Sequence, residues 1–436
     1  MQSHTNPAQQ GILPTRESSS ASGENSLFAR IIESYVRPLI HGSSVTGPLT
    51  GDKDGQRFIE QENPCRLILR PGKESAEYVV LERPIAFAEE EKAFLERLVL
   101  NIAHYPLETF RAYPFLIGGA VERAIAWSIN PEHADTVYQI LQVYTQWASE
   151  THEGKRTSHT TGIYFDRARE GGRTLYEARG NGCLKTLGST KDTLLAIGKD
   201  GSILGMELVS AKLNNYKKDR DILAPIGSAD IAVWTNSRRK AAISLNEHGD
   251  ILVFKEKRLV YAKRRSFWRS FPHALILREA IPPSLGENEQ KSRKAVYLTA
   301  LDIAMTRRGG CLGIFPRSAS GTDGLTELLR PETLFESSTP SEQAKLLADV
   351  VDSRKFFEIP RILRADLCSL DGALIIDDAG TILTAGAIVK TNGNSATGGG
   401  RSAAAKALAR NGFGIKISSD GYIEIYDGEN LPVYFA

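Results

Sequence analysis

Four segments of the chain share one layout, an apolar run, a polar turn built around glycine, and a second apolar run: DTLLAIGKDGSILGMELV, KAAISLNEHGDILVF, DGALIIDDAGTILTAGAIV and GFGIKISSDGYIEIYDG. Glycine beside Asp or another polar residue supplies the positive φ of a tight turn, so each segment predicts a β-hairpin. The first two make residues 160 to 272 mostly antiparallel sheet. The last two bring the same pattern back near the C-terminus. That recurrence raises an internal repeat, although hairpins share this grammar generically.

Helical periodicity occupies other stretches. Phe28, Ile31, Ile32, Tyr35, Val36 and Leu39 recur every three to four positions and predict a helix that ends near His41 and Gly42. Residues 43 to 63 read as loop. From about Phe87 to Ser149 the period is helical again, punctuated by Pro106, Pro114 and Pro131. His104 and His133 are isolated there and read as surface or capping residues. A polar hinge around Pro282, Pro283 and Gly286 marks the last domain boundary. Beyond it, KAVYLTALDIAMTRRGG predicts a buried helix ended by Gly309 and Gly310, CLGIF a short strand, and residues 341 to 369 two helices before a strand at Ala373 to Ile376. The expected fold class is α/β, with a mixed sheet flanked by helices in a C-terminal domain at 286–436. A mainly helical region at 26–150 and a β-rich region at 160–272 precede it, behind a disordered tail at 1–25 that is too polar to offset its ordering entropy.

The charge balance, 54 basic against 52 acidic side chains for a net +2, excludes a whole-protein field that would attract nucleic acid or an anionic membrane. Cys65, Cys183, Cys311 and Cys368 are too scattered for a metal knuckle or a disulfide framework, and Cys311 and Cys368 read as core thiols. No apolar stretch is long enough to span a bilayer and no secretory signal is evident, so a cytoplasmic, non-membrane protein is expected.

Chemistry concentrates in TNGNSATGGGRSAAAKALARNG. Three glycines, 398 to 400, deliver the chain to Arg401, Ser402 and an alanine-rich helix. Such a loop aims several backbone N–H groups, and the positive end of the helix dipole, at one anion, which suits a phosphate. It matches neither GxxxxGK[ST] nor GxGxxG. Upstream, Asp371 and Gly372 immediately precede an apolar strand. A carboxylate at a strand end near a phosphate loop is what metal-assisted nucleotidyl transfer needs to hold Mg²⁺ or Mn²⁺ and polarise a hydroxyl.

The succession of TRRGGCLGIF, DGALIIDDAGTILTAGAIV, GGGRSAAAKAL and GIKISSDGYIEIYDG resembles the diadenylate cyclase domain of the DisA N-terminal nucleotide-binding type, over about residues 290 to 430. Asp371, Gly372 and Ala373 match its DGA motif. Gly399, Gly400, Arg401, Ala404 and Ala405 match its G-T-R-H-R-A-A loop in part, and Ile417, Ser418 and Gly421 match its V-S-E-E-x-G turn loosely. Ser402 and Ala403 stand where the family has His and a second Arg, which leaves one guanidinium and backbone N–H groups, with Lys406 or Lys390 as substitutes. The resemblance implies condensation of two ATP to cyclic di-AMP and pyrophosphate, with Asp371 as catalytic residue and ligand of Mg²⁺ or Mn²⁺. It implies that Gly372, Ala373, Gly399, Gly400, Arg401 and Ser402 bind the nucleotide, that homo-oligomers form through facing domains, and that residues 160–272 belong to a sensor region.

Two other readings compete. One is a nucleotide-binding regulator of the same fold with little or no turnover. The other is a nucleic-acid-binding protein that uses KEKRLVYAKRRSFWR at 255–269, although that run also reads as a strand with a solvated basic face and an aromatic inner face. Asp377 and Asp378 read as hairpin turn residues.

Overall fold

The computed structural model describes residues 26–40, 43–50, 57–72, 75–83, 85–113, 115–152, 155–188, 192–209, 222–281, 283–316, 323–391, 399–427 and 433–435. The expected tail at 1–25 lies outside them. The fold is mixed α/β, as the sequence predicts.

The N-terminal region contains a sheet the sequence reading lacked. Strands Ser44–Thr50, Glu77–Glu82, Arg66–Leu69 and Ile59–Asn63 pair antiparallel in that order. Strands at 44–50 and 59–63 therefore stand where the sequence reads as loop. The strand Ile59–Asn63 is almost wholly exposed, so its backbone ladder holds it and no apolar alternation marks it. Helices Glu89–Ala103, Leu107–Ala112, Phe115–Ile129 and Ala134–Ala148 follow as expected, with His104 and His133 at helix ends.

Seven strands form the central sheet, in the order Phe267–Ser270, Arg258–Arg264, Ile251–Lys255, Lys240–Leu245, His159–Tyr164, Thr193–Ile197, Ile203–Leu208. Both faces are covered. Ile163, Leu195, Ile243 and Val253 pack with Tyr144 and Trp147 of the helical layer. Tyr164, Leu194, Ala242 and Phe254 share a second core with the helix Glu287–Met305 and with Leu312, Leu374 and Ile415 of the C-terminal sheet. That helix is buried on nearly all sides of its second half because both units pack on it.

The six-stranded C-terminal sheet runs Ile382–Ala387, Ala373–Asp377, Gly310–Phe315, Phe413–Ile417, Ile423–Asp427, Val433–Phe435. The helix Gly399–Ala409 covers its outer face, burying Ala405 and Leu408 against Ile375 and Tyr426.

The two sheets have the same topology. Each has one parallel pair among its described strands, His159–Tyr164 with Thr193–Ile197 and Gly310–Phe315 with Ala373–Asp377. Residues 160 to 272 are thus mostly antiparallel sheet, as expected, with one parallel pair that the hairpins do not signal. In each, the second strand of the parallel pair turns back antiparallel, and the first is flanked on its other side by a later antiparallel strand. Register agrees too: Gly162 lies opposite Ala196 and Ala242, and Gly313 opposite Ile375 and Gly414. Superposing those positions aligns Asp192 with Asp371, Gly201 with Gly380 and Gly249 with Gly421 without a gap. All three glycine pairs suit this alignment, since Gly201, Gly380, Gly249 and Gly421 have positive φ and Gly162 and Gly313 each lie under a large side chain, Trp234 or Leu408. The chain carries one α/β unit twice.

Buried histidines make this core pH-sensitive. His159 Nδ1 meets Tyr144 Oη at 2.8 Å, and His273 donates from Nε2 to the Leu259 carbonyl at 2.6 Å. Burial pushes each from 6.5 down to about 4. The unfolded chain then binds up to two more protons than the folded one between about pH 4 and 6.5, so stability falls as pH drops through that window, by up to about 2.7 kcal/mol per unit. The urea midpoint should be lower at about pH 5 than at pH 7.5. An equal midpoint would mean that these rings titrate normally in the folded chain.

Candidate functional site

The DGA segment follows the helix Arg361–Cys368 and enters the strand Ala373–Asp377. Gly372 has φ +111°, and an added Cβ would lie 2.5 Å from the Gly386 carbonyl carbon and 2.7 Å from the Ala387 oxygen. Only glycine allows the neighbouring strand so close. Ala373 is buried in the core under the helix Gly399–Ala409, so its side chain packs and does not line the surface. Asp371 is exposed at the sheet's end.

Arg401 reaches the same end from the other side of the sheet. Its guanidinium lies on Gly309, where an added Cβ would stand 2.3 Å from Nη1. The parallel ladder starts at Leu312 and Leu374, and Gly309 and Asp371 each stand three residues before it, at one end of the sheet. Asp371 and the Arg401–Gly309 contact thus lie at the same end of the sheet. The sequence reading assigned Gly309 to a helix stop, but that helix ends at Met305 and Arg307, at φ +54°, makes the turn. Lys390 leaves the strand Ile382–Ala387 at this end as well, since Ala387 is opposite Ala373.

Gly399 and Gly400 open the helix and are exposed, with open space where a Cβ would be. Residues 392–398 of the loop lie outside the described residues. Ser402 differs from its expected place: it is buried, and its hydroxyl is 3.3 Å from Tyr426 Oη, which donates to Glu424. Glu424 is also bonded by Lys416 Nζ at 3.1 Å. This inward chain, Ser402 to Tyr426 to Glu424 to Lys416, was missed, although the alternation of GYIEIYDG puts Glu424 and Tyr426 on one strand face. Lys406 stands over the Tyr426 ring at 5.6 Å.

Among the described residues no group of three His, Cys, Asp or Glu could hold a metal ion. Asp371 alone fits a Mg²⁺ or Mn²⁺ whose other ligands are nucleotide phosphates and water, the usual mode for Mg²⁺. Burial pushes the Cys311 thiol up to about 12 despite nearby Arg401, so it is no nucleophile at neutral pH. Asp377 closes its hairpin by accepting from Thr381 N at 2.6 Å, as a turn residue should. A cavity of about 330 Å³ lies at the opposite end of the sheet, lined by Glu289, Arg293, Asp378, Asn411 and Asp427, away from Asp371.

Of the basic run at 255–269, Arg258 and Arg265 are exposed and the other basic side chains are at least partly buried. Lys255 Nζ donates to the Ile129 carbonyl at 2.6 Å, Lys263 Nζ pairs with Glu122 at 2.7 Å, and Arg264 and Arg269 are buried. Lys263 and Arg264 are strand neighbours and point to opposite faces, and because both faces of this sheet are covered, each face takes charge inside. The nucleic-acid reading loses the surface it relied on.

No family model matches the chain, and no curated protein does. No helix among the described residues is long and apolar enough to cross a membrane. Among solved structures, the chain is similar to a double mutant of DacA from Staphylococcus aureus, with 19% identity over 34% of this chain and 89% of that one and a TM-score of 0.24. It is also similar to a hypothetical membrane spanning protein from Bacillus cereus, with 12% identity over 34% of this chain and 72% of that one and a TM-score of 0.23.

Proposed function

We propose that the C-terminal unit is a nucleotidyltransferase of the diadenylate cyclase type that condenses two ATP into cyclic di-AMP and two pyrophosphates. The observation that carries this reading is that Asp371 and the contact of Arg401 with Gly309 lie at one sheet end. A carboxylate and a guanidinium at one sheet end can serve the two charges of the reaction, that of a divalent ion and that of a triphosphate.

Arg401 and the N–H groups of Gly399 and Gly400 bind phosphate oxygens, supported by the positive end of an 11-residue helix. Ser402 fixes the first turn from inside through Tyr426. Asp371 would hold a Mg²⁺ or Mn²⁺, which would supply Lewis-acid activation of the hydroxyl and charge neutralisation at the phosphates. Each 3′-oxygen forms a bond to the other nucleotide's α-phosphorus, the bond to the pyrophosphate oxygen breaks, and the hydroxyl proton passes to solvent. One unit offers one such end, so the reaction needs two chains facing each other, with the N-terminal regions as the regulatory part.

Arg401→Ala should raise the dissociation constant for ATP at least about tenfold, since a charge-assisted contact contributes roughly 1.5 to 3 kcal/mol. Calorimetric titration checks this. Unchanged affinity would remove Arg401 from the site. Binding without any product in the wild type would favour the regulator reading.

A further inference from the structure

A cluster of arginines is buried where the central sheet meets the C-terminal unit. Arg264 and Arg269, each 4% exposed, project from the two outer strands of the central sheet toward the turn Ser418–Tyr422. Arg265 and Arg307 complete it. Against these four guanidinium groups stand two carboxylates. Asp250, fully buried, takes Arg307 Nη2 at 2.6 Å and has Arg264 Nε at 3.5 Å, while Asp420 takes Arg265 Nη2 at 2.6 Å. Two positive charges remain in excess.

Arg264 carries most of that excess. Its Nη1 and Nη2 are buried and have no hydrogen-bond partner among the described residues, and Arg269 Nε has none either. Arg269 is otherwise stacked on Tyr422 at 3.8 Å. A guanidinium does not shed its proton at physiological pH, so buried unpaired N–H groups of this kind call for an acceptor from outside the chain. The adjoining cavity, about 90 Å³, is lined by all four arginines, Phe267, Ser419, Asp420 and Tyr422. That is the liquid volume of about three waters, room for one tetrahedral oxyanion. Gly421, at φ +89°, keeps the turn low enough for Arg264 to lie over it, since an added Cβ would fall 1.3 Å from Nη1.

We propose that this cavity binds a phosphate-type oxyanion, which joins the central sheet to the C-terminal hairpin by bridging Arg264 and Arg269. Planar guanidinium forks and a compact, polar cavity match such an anion, and the chain's own carboxylates are already engaged. The site uses neither Asp371 nor Arg401 and stands apart from the proposed cyclase chemistry.

The test is calorimetric titration of the full chain with orthophosphate, pyrophosphate and ATP, at ionic strength held constant with chloride. Saturable binding of orthophosphate or pyrophosphate is expected, with a rise in melting temperature. Arg307→Gln and Arg264→Gln should weaken it at least about tenfold, and should do so equally in a chain that carries Arg401→Ala to silence the other phosphate-binding end. If Arg264→Gln does not fold, the exposed Arg265→Gln carries the comparison. Preference between the two inorganic anions tells a monophosphate from a diphosphate site, and ATP binding that survives Arg401→Ala identifies a nucleotide's terminal phosphate as a source. No saturable anion binding, or binding equal in the wild type and the arginine variants, overturns the proposal.

Discussion

Asp371→Asn is expected to lower ATP turnover at least about a hundredfold while leaving the urea midpoint within experimental error of the wild type. The substitution keeps side-chain volume and removes the negative charge that Asp371 would offer a divalent ion. Asp371 is exposed and packs in no core cluster, so the fold has little to lose. Steady-state product formation, read beside circular dichroism, separates the two effects. An Asp371→Asn protein with wild-type turnover would take Asp371 out of the chemistry, and an unfolded one would make it structural.

Gly414→Ala is expected to destabilise the chain by about 3 kcal/mol or more. An added Cβ would lie 1.8 Å from the Ala405 carbonyl oxygen and 2.6 Å from its carbon, backbone against backbone, so no side chain can swing aside. The helix Gly399–Ala409 would have to lift from the strand Phe413–Ile417 and lose the burial of Ala405 and Leu408. Since Arg401 rides on that helix, nucleotide affinity should fall with stability. Gly118→Ala, on a helix with open space around the new Cβ, is the control and should leave the urea midpoint unchanged or slightly raised. Equal midpoints for Gly414→Ala and the wild type would mean that the helix is not seated on the strand.

The parts of this architecture legible in the sequence were the local ones. Hairpins at Gly201, Gly249, Gly380 and Gly421 announced themselves because a turn and both its strands lie within one short segment. The helices Glu342–Val351 and Arg361–Cys368 and the strand Gly310–Phe315 were readable for the same reason. Pairing over longer distances was not. The parallel pair His159–Tyr164 and Thr193–Ile197 has no turn between its strands to signal it. Similarly, the contact between Gly309 and Arg401 joins residues that no spacing rule relates.

Burial on both faces of the central sheet explains the other departure. For a sheet with one wet face, alternating Lys and Arg at 255–269 would be solvated. Here a second layer covers that face, and Arg264 and Arg269 end up beside the Gly421 turn. The repeat was suggested by hairpin grammar but became decidable only through strand order and register, which tie Gly162 to Gly313 and Asp192 to Asp371.

The most direct measurement of the central claim is incubation of the pure full chain with labelled ATP and Mn²⁺ or Mg²⁺, with products identified by mass spectrometry. The account predicts cyclic di-AMP and pyrophosphate in a one-to-two ratio, formed by the wild type and absent with Asp371→Asn. ATP recovered intact after incubation with folded, nucleotide-bound wild type, or cyclic di-AMP formed equally by Asp371→Asn, would contradict it.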